Sequence, residues 1–197
     1  MKRVTVVRTG TANLASVVAA LQRAGCEVTV THHPSEVEAA DRLVLPGVGA
    51  FGPVADGLRA SRLAEPLAAR FADGRPSLAI CLGLQLLAAA SDEDPGVEGL
   101  GVLDATITQF ADGLRVPQLG WNRVTAGDGC RVLTDGAAYF ANSFKLDTIP
   151  DGWCGAISEH GDPFVAAVER GPVLACQFHP ELSGSWGQSL LERWLAC

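Results

Sequence analysis

One cysteine stands where the local pattern favours a nucleophile. Cys81 lies within the apolar run of residues 77–85, with Ala79 two residues before it and Gly83 two residues after it. Small residues at these offsets permit a tight strand-to-helix turn that exposes the central side chain at a helix N-terminus, where the thiolate form is favoured. The backbone amide of Leu82 would then serve as an oxyanion donor. The alternative is that Cys81 fills the core, as most free cysteines do.

A thiolate nucleophile needs a base, and one histidine suits that role. His179 follows the apolar residues 173–178 and precedes Pro180 and Glu181. A residue before proline is held extended, and alternate residues of an extended chain share a face, so we expect Glu181 to reach the His179 ring. Cys81, His179 and Glu181 would then form a triad. The alternative is a turn with a surface acid. Three histidines in polar turns are expected to be solvated: His32, His33 and His160.

A glycine-rich segment, residues 46–52, follows the third predicted strand. Gly47, Gly49 and Gly52 match the G-x-G-x-x-G pattern of dinucleotide-binding loops. That interpretation is disfavoured, because the segment does not open the first βαβ unit and no acidic residue ends a strand about 20 residues later. We expect instead that these glycines let backbone amides approach a ligand opposite the Leu82 amide, which would complete an oxyanion hole.

Composition excludes several classes of function. The 197 residues carry a net charge of −7, which argues against a nucleic-acid-binding protein. The first residues resemble a strand rather than a signal peptide, and no apolar run reaches the roughly 18 residues of a membrane span. The six cysteines show no C-x-x-C pair and no metal-like spacing, so we expect free thiols in a reducing cytoplasm and no metal.

The elements that position these residues change character along the chain. Strand patterns at 3–8, 27–31, 42–46 and 76–80 alternate with helical patterns at 13–24, from the glycine segment to about 71, and after Cys81. Short β-rich runs follow at 102–110, 131–134, 138–143, 153–158, 164–169 and 173–178, and a helix spans 183–196 with Ser183 or Ser185 as its N-cap. Alternation predicts a parallel sheet between helices, and the second half predicts hairpins. We expect one α/β domain over residues 1–197 with a mixed, mostly parallel sheet.

Together these motifs resemble the triad-type (class I) glutamine amidotransferases, whose elbow is G-x-C-x-G-x-Q and whose distal pair is H-P-E. Here the elbow motif matches residues 81–85, and the H-P-E motif follows in the same order at residues 179–181. Cys81 and His179 are 98 positions apart. Nearly the whole chain is similar to the glutamine amidotransferase subunits of imidazole glycerol phosphate synthase. The segments that carry this likeness are PGVGAFG, PGVEGLGVL, VPQLGWN, YFANSF and QFHPELSG.

The resemblance implies a three-layer, flavodoxin-like fold and a cofactor-free glutaminase. Cys81 would attack the side-chain amide of glutamine, His179 would protonate the leaving ammonia, and Glu181 would orient His179. The substrate-binding residues implied are Gly47, Gly49, Leu82, Gln85, Ser143 and Phe144. The ammonia would pass to a separate (β/α)8 cyclase subunit. Rival functions are a stand-alone amidase and a module that only binds.

Some positions depart from the family pattern or remain open. Trp121 matches a residue near the subunit interface, yet a core anchor is equally compatible with the sequence. Asn13 is either a helix N-cap or a partner contact. The departures from the common family residues are Arg8, Ala79, Gln118, Asn142, Phe144 and Leu182. None of them belongs to the triad; they bear on how the two subunits communicate and on how the ammonia is gated.

Overall fold

A computed structural model describes residues 1–10 and 13–197; of the first predicted strand-to-helix turn, Thr11 and Ala12 lie outside the described residues. The strands in the described part are β1 (Lys2–Val7), β2 (Cys26–Thr31), β3 (Leu43–Gly47), β4 (Ser77–Cys81), β5 (Ala88–Ser91), β6 (Leu103–Gln109), β7 (Gln118–Ala126), β8 (Gly136–Asn142), β9 (Phe144–Leu146), β10 (Cys154–His160), β11 (Asp162–Arg170) and β12 (Val173–Cys176). The α-helices are α1 (Leu14–Arg23), α2 (Pro34–Ala39), α3 (Phe51–Ala60), α4 (Ala64–Ala72), α5 (Leu82–Leu86) and α6 (Gly184–Ala196). A 3-10 helix spans Pro180–Leu182. None of the helices described has the length and apolar composition needed to cross a bilayer.

The centre of the sheet is parallel, as the alternating pattern predicts. Its strand order is β2-β1-β3-β4-β12, and each neighbouring pair is parallel. Every residue of β3, β4 and β12 is buried, which explains why these strands are continuous apolar runs. Helices α1 and α6 contribute to the apolar cluster on one side, and α2 to α5 contribute to the cluster on the other. These layers are the three-layer α/β architecture predicted from the sequence.

The second half of the chain extends the same sheet with antiparallel strands. Beyond β12 the order continues β11-β10-β7-β8, with antiparallel pairing throughout. Strands β5, β6 and β9 form a branch that joins the sheet through β11. The β-rich second half is therefore confirmed, and parallel pairing is concentrated in the first half.

Several element boundaries differ from the sequence prediction. Residues 131–134 form no strand, because the amides of Arg131, Val132 and Leu133 donate to the Glu169 carboxylate and do not enter a ladder. The helix predicted up to residue 71 is two helices, separated at Arg62, which has a φ of 58°. The helix after Cys81 is short and gives way to β5. Strands β5, β7 and β9 were not predicted.

The expectation that all six cysteines are free thiols is wrong for two of them. Cys130 and Cys154 form a disulfide with a Cα–Cα distance of 5.6 Å. The amide of Gly127 donates to the carbonyl of Gly155, at 2.9 Å, and this contact brings the loop before Cys130 against the start of β10. Since the two residues are 24 positions apart, no local spacing signals the bond. The free cysteines are Cys26, Cys81, Cys176 and Cys197.

Candidate active site

Cys81 sits on the strained turn that the sequence predicts. It ends β4 with φ 55° and ψ −113° and forms the N-cap of α5. Among the described residues, only one other non-glycine residue, Arg62, has a positive φ. A Cβ at position 83 would lie 2.1 Å from the carbonyl oxygen of Leu45 and 3.6 Å from the Cβ of Ala79, so the turn requires glycine there. Backbone strain at a single turn residue is typical of functional sites.

His179 and Glu181 are joined as predicted, although the backbone between them is different. Nδ1 of His179 lies 2.9 Å from Oε1 of Glu181. The prediction that residues 179–181 continue the strand direction is wrong beyond His179, because Pro180 begins a 3-10 helix. Proline at the first position of a helical turn loses no hydrogen bond, which accounts for the change of direction. Both side chains are buried, with 9% of the His179 side chain and 3% of the Glu181 side chain exposed.

The parallel pairing of β4 and β12 brings the nucleophile and the base together. Cys176 pairs with Ile80, so the carboxyl ends of the two strands meet at the same edge of the sheet. Cys81 is the last residue of β4, and His179 follows the end of β12 by three residues. This edge is where open α/β sheets hold their ligands.

The charges of the three groups support one another. Burial lowers the pKa of His179, but hydrogen bonds with Cys81 and Glu181 and the charges of both groups raise it to about 10. His179 is therefore favoured as an imidazolium at neutral pH, which is the proton donor that a departing amine needs. Cys176 lies close enough that Glu181 and Cys81 add to burial in raising the pKa of its thiol. Cys176 is thus kept as an inert thiol in the core.

A cavity of about 260 Å³ opens beside Cys81. Seven of the sequence-predicted residues border it or reach into it: Gly49, Cys81, Leu82, Gln85, Ser143, Phe144 and His179. Gly47 does not border the cavity; a Cβ there would lie 2.9 Å from the Cβ of Leu82, so this glycine allows β3 to pack against the turn. Glu181 does not border it either and contacts the His179 ring from behind.

A buried glutamine that the sequence analysis missed connects the cavity wall to the nucleophile. Gln177 donates through Nε2 to Sγ of Cys81 at 3.7 Å and accepts through Oε1 from Nε2 of Gln85 at 3.0 Å. Nε2 of Gln85 also lies 3.2 Å from the carbonyl oxygen of Phe144. The signal for Gln177 is its position two residues before His179, directly after β12. Its side-chain amide provides a donor to the sulfur.

The glycine segment ends in a helix whose N-terminus is already occupied. The amide of Phe51 donates to Glu93 at 2.9 Å, and the amide of Gly52 donates to Asp94 at 2.7 Å. These carboxylates occupy the positions that a dinucleotide phosphate would take at a helix N-terminus, which agrees with rejecting that interpretation. Glu93, also missed from sequence, borders the cavity as well. Gly49 has a φ of 104°, a conformation that favours glycine.

An apolar surface is exposed near the site. Trp121 is 60% exposed and Leu119 is 67% exposed, both on one face of β7, with Val116 close by in the chain. This exposure decides the question left open for Trp121, which does not anchor the core. Asn13 holds the N-cap position of α1 but makes no side-chain capping bond.

Comparisons with known proteins agree with this geometry. The glutamine amidotransferase class-I family model matches residues 5–196. The chloroplastic imidazole glycerol phosphate synthase hisHF of Arabidopsis thaliana is 39% identical over 98% of this chain, which spans 34% of that protein. The imidazole glycerol phosphate synthase subunit HisH of Escherichia coli K12 is 41% identical over 98% of both chains. A crystal structure of a glutamine amidotransferase shares the fold, with a TM-score of 0.77 at 24% identity over 98% of this chain and 96% of that one. The chain therefore belongs to the class-I glutamine amidotransferase family.

Proposed function

We propose that this chain hydrolyses L-glutamine to glutamate and ammonia as the glutaminase subunit of an imidazole glycerol phosphate synthase of histidine biosynthesis. The observation that carries the proposal is the buried set of Cys81, His179 and Glu181 at one cavity. Full-length similarity to subunits named HisH supports the choice of acceptor enzyme over other amidotransferases. The cavity volume suits one amino acid and not a dinucleotide.

In the first half of the reaction, the sulfur of Cys81 attacks the side-chain carbonyl carbon of glutamine. The tetrahedral oxyanion would be held by the amide of Leu82 and by an amide of the glycine segment near Gly49. The imidazolium of His179 gives a proton to the departing nitrogen, ammonia leaves, and a thioester remains on Cys81. Glu181 keeps the imidazole ring in orientation and stabilises its positive charge.

In the second half, water attacks the thioester. Neutral His179 removes a proton from that water, the carbon–sulfur bond breaks, and glutamate leaves while Cys81 returns to its resting state. We assign substrate contacts to Gln85, Ser143 and Phe144, which border the cavity together with Cys81 and His179. Gln85 also holds Gln177 against the sulfur, so its loss would affect both binding and the nucleophile.

We also propose that the ammonia passes to a separate cyclase subunit, expected to be a (β/α)8 barrel. The Arabidopsis relative, named imidazole glycerol phosphate synthase hisHF, is about three times as long as this chain, and the chain matches 34% of it. The exposed Trp121 and Leu119 supply the aromatic and apolar contacts that protein interfaces favour. A cytoplasmic location and a single domain over residues 1–197 remain predictions that accompany this function.

Glutamate release from glutamine tests the proposal. It should be measured with the chain alone and with a separately expressed cyclase subunit and its ribotide substrate, with Cys81→Ala as the control. Partner-dependent activity that the Cys81→Ala variant loses supports the assignment. High activity without a partner would indicate a stand-alone amidase instead. No activity under any of these conditions would contradict the glutaminase assignment.

A further inference from the structure

Ser183 occupies a helix N-cap position without capping the helix. It directly precedes α6, and its side chain makes no capping bond. The residue is 1% exposed, so its hydroxyl has no access to bulk water and must be satisfied within the protein. The hydrogen bonds of this hydroxyl therefore indicate what the residue does in place of capping.

The hydroxyl of Ser183 joins the base to strand β8. It donates to the carbonyl oxygen of His179 at 2.6 Å and accepts the amide of Tyr139 at 2.9 Å. The amide of His179 in turn donates to the carbonyl oxygen of Tyr139 at 2.9 Å. The two backbone groups of His179 are thus fixed to the same residue of β8, one directly and one through a single hydroxyl.

Tyr139 and Gly184 connect Ser183 to the exposed apolar surface of β7. The ring of Tyr139 lies edge-on to the ring of Trp121, with centroids 6.3 Å apart. The Trp121 ring also lies over Gly184, where an added Cβ would be 3.6 Å from its Cη2 atom. The Trp121 ring therefore contacts Tyr139, whose amide donates to the Ser183 hydroxyl, and it lies on the side of Gly184 where a Cβ would project.

We propose that Ser183 is a positioning residue that holds the His179 backbone to β8 and couples the base to the surface around Trp121. The inference rests on the proposed function as far as the reaction is concerned. The hydrogen bonds that position His179 do not depend on it. A partner that moves the Trp121 ring would move Tyr139 or Gly184, and the hydroxyl bridge transmits that movement to the carbonyl of His179. Without the hydroxyl, His179 keeps the direct bond of its amide to Tyr139, and its carbonyl keeps the amide of Leu182 at 3.1 Å, but the link from that carbonyl to β8 is lost.

The test compares Ser183→Ala with Ser183→Thr, which retains the hydroxyl, and with Ser185→Ala as the matched control. Ser185 lies on the first turn of α6 and is exposed, so the same truncation there removes no buried contact. All variants are assayed with glutamine, with and without the cyclase subunit, at temperatures well below their unfolding midpoints. Iodoacetamide modification of Cys81 is followed by mass spectrometry against pH, and the exposed thiol of Cys197 in the same molecule serves as the internal reference.

We expect Ser183→Ala to lower kcat by about ten- to a hundredfold, because small displacements of a catalytic base have large effects on rate. KM for glutamine should change by less than about twofold, since the substrate contacts are intact. The pH profile of Cys81 alkylation should move relative to that of Cys197. Ser183→Thr should restore most of kcat, and Ser185→Ala should behave as wild type.

Three results would overturn the inference. One is a Ser183→Ala variant with a lower unfolding midpoint but an unchanged kcat and alkylation profile, which indicates a structural role only. Another is a raised KM with unchanged kcat, which indicates a substrate contact. The third is an equal loss in Ser183→Thr and Ser183→Ala. If wild-type protein hydrolyses no glutamine under any condition, the proposed function fails, while the alkylation profile still decides whether Ser183 positions His179.

Discussion

The parallel and antiparallel halves of the sheet contribute differently to the site. The parallel half supplies Cys81, at the end of a strand whose residues are all buried. The turn that follows has no room for a Cβ at position 83. The antiparallel half supplies β7, which carries the exposed Leu119 and Trp121, and β8, whose Tyr139 contacts the Trp121 ring and bonds to the backbone of His179. The difference indicates that the nucleophile is fixed by packing, whereas the surroundings of the base remain open to contact from outside.

The largest effect is expected in the parallel half, from Gly83→Ala. The new methyl group would meet the carbonyl oxygen of Leu45, which belongs to a buried strand and cannot move aside. We expect a loss of about 3 kcal/mol or more in the free energy of unfolding, at the upper end for overpacking. Gly57→Ala in α3 is the matched control, since no atom lies within 4 Å of a Cβ built at position 57. This variant should gain about 1 kcal/mol in the free energy of unfolding. Denaturant unfolding measures both, and equal stabilities would contradict the packing argument.

In the antiparallel half, removal of the Cys130–Cys154 disulfide should destabilise the chain without affecting catalysis. The bond closes a loop of 24 residues, for which loop-closure entropy predicts about 3 kcal/mol. The double variant Cys130→Ser/Cys154→Ser and wild type in reducing buffer should unfold at the same denaturant concentration, below that of oxidised wild type. Glutaminase activity should match wild type in all three samples. A midpoint that does not respond to reduction would rule out the bond.

Glu181→Gln should lower both activity and the pKa of His179. The folded-state pKa of about 10 lies above the ordinary 6.5, so protonation of His179 favours the folded state. That contribution is complete below about pH 6.5 and is lost as the pH rises through about 10. Without the carboxylate, the titration midpoint of the His179 ring should fall to a lower pH, and kcat should fall by about a hundredfold. NMR titration of the His179 ring measures the shift, and an unchanged midpoint would show that Glu181 does not act on the ring.

The smallest effect is expected from Trp121→Ala, and only when the partner is present. Truncation of an exposed aromatic anchor should weaken binding of the cyclase subunit by about tenfold, as at other interface hot spots. Basal glutaminase activity should stay within about twofold of wild type. Val30→Ala is the control, because Val30 is an exposed apolar residue of β2 at the parallel edge of the sheet. Binding is measured by titrating each variant with the cyclase subunit. Equal effects of Trp121→Ala and Val30→Ala on the affinity would contradict an interface at β7.

The same division between the two halves explains what the sequence predicts well. Cys81 and the strands around it follow from apolar runs and small residues at fixed offsets, which are local signals. The bond from the Phe51 amide to Glu93 and the bonds from residues 131–133 to the Glu169 carboxylate join residues about 40 positions apart, which no local pattern encodes. Strand β7 is not predicted because its exposed face mixes apolar, aromatic and charged side chains, and because it contains a glycine at position 120. The triad partners were predicted, but the 3-10 turn between them was not.

The anchoring of the glycine segment has a consequence for the entropy of ligand binding. Gly47 packs against Leu82, and the amides of Phe51 and Gly52 are held by the carboxylates of Glu93 and Asp94 in the loop between β5 and β6. Only residues 48–50 lie between these two fixed points. Ordering a backbone residue costs about 1–2 kcal/mol at 25 °C, and a segment held at both ends has met part of that cost when the chain folds. A substrate that contacts the segment would therefore lose less conformational entropy on binding than one that had to order a free loop of the same length.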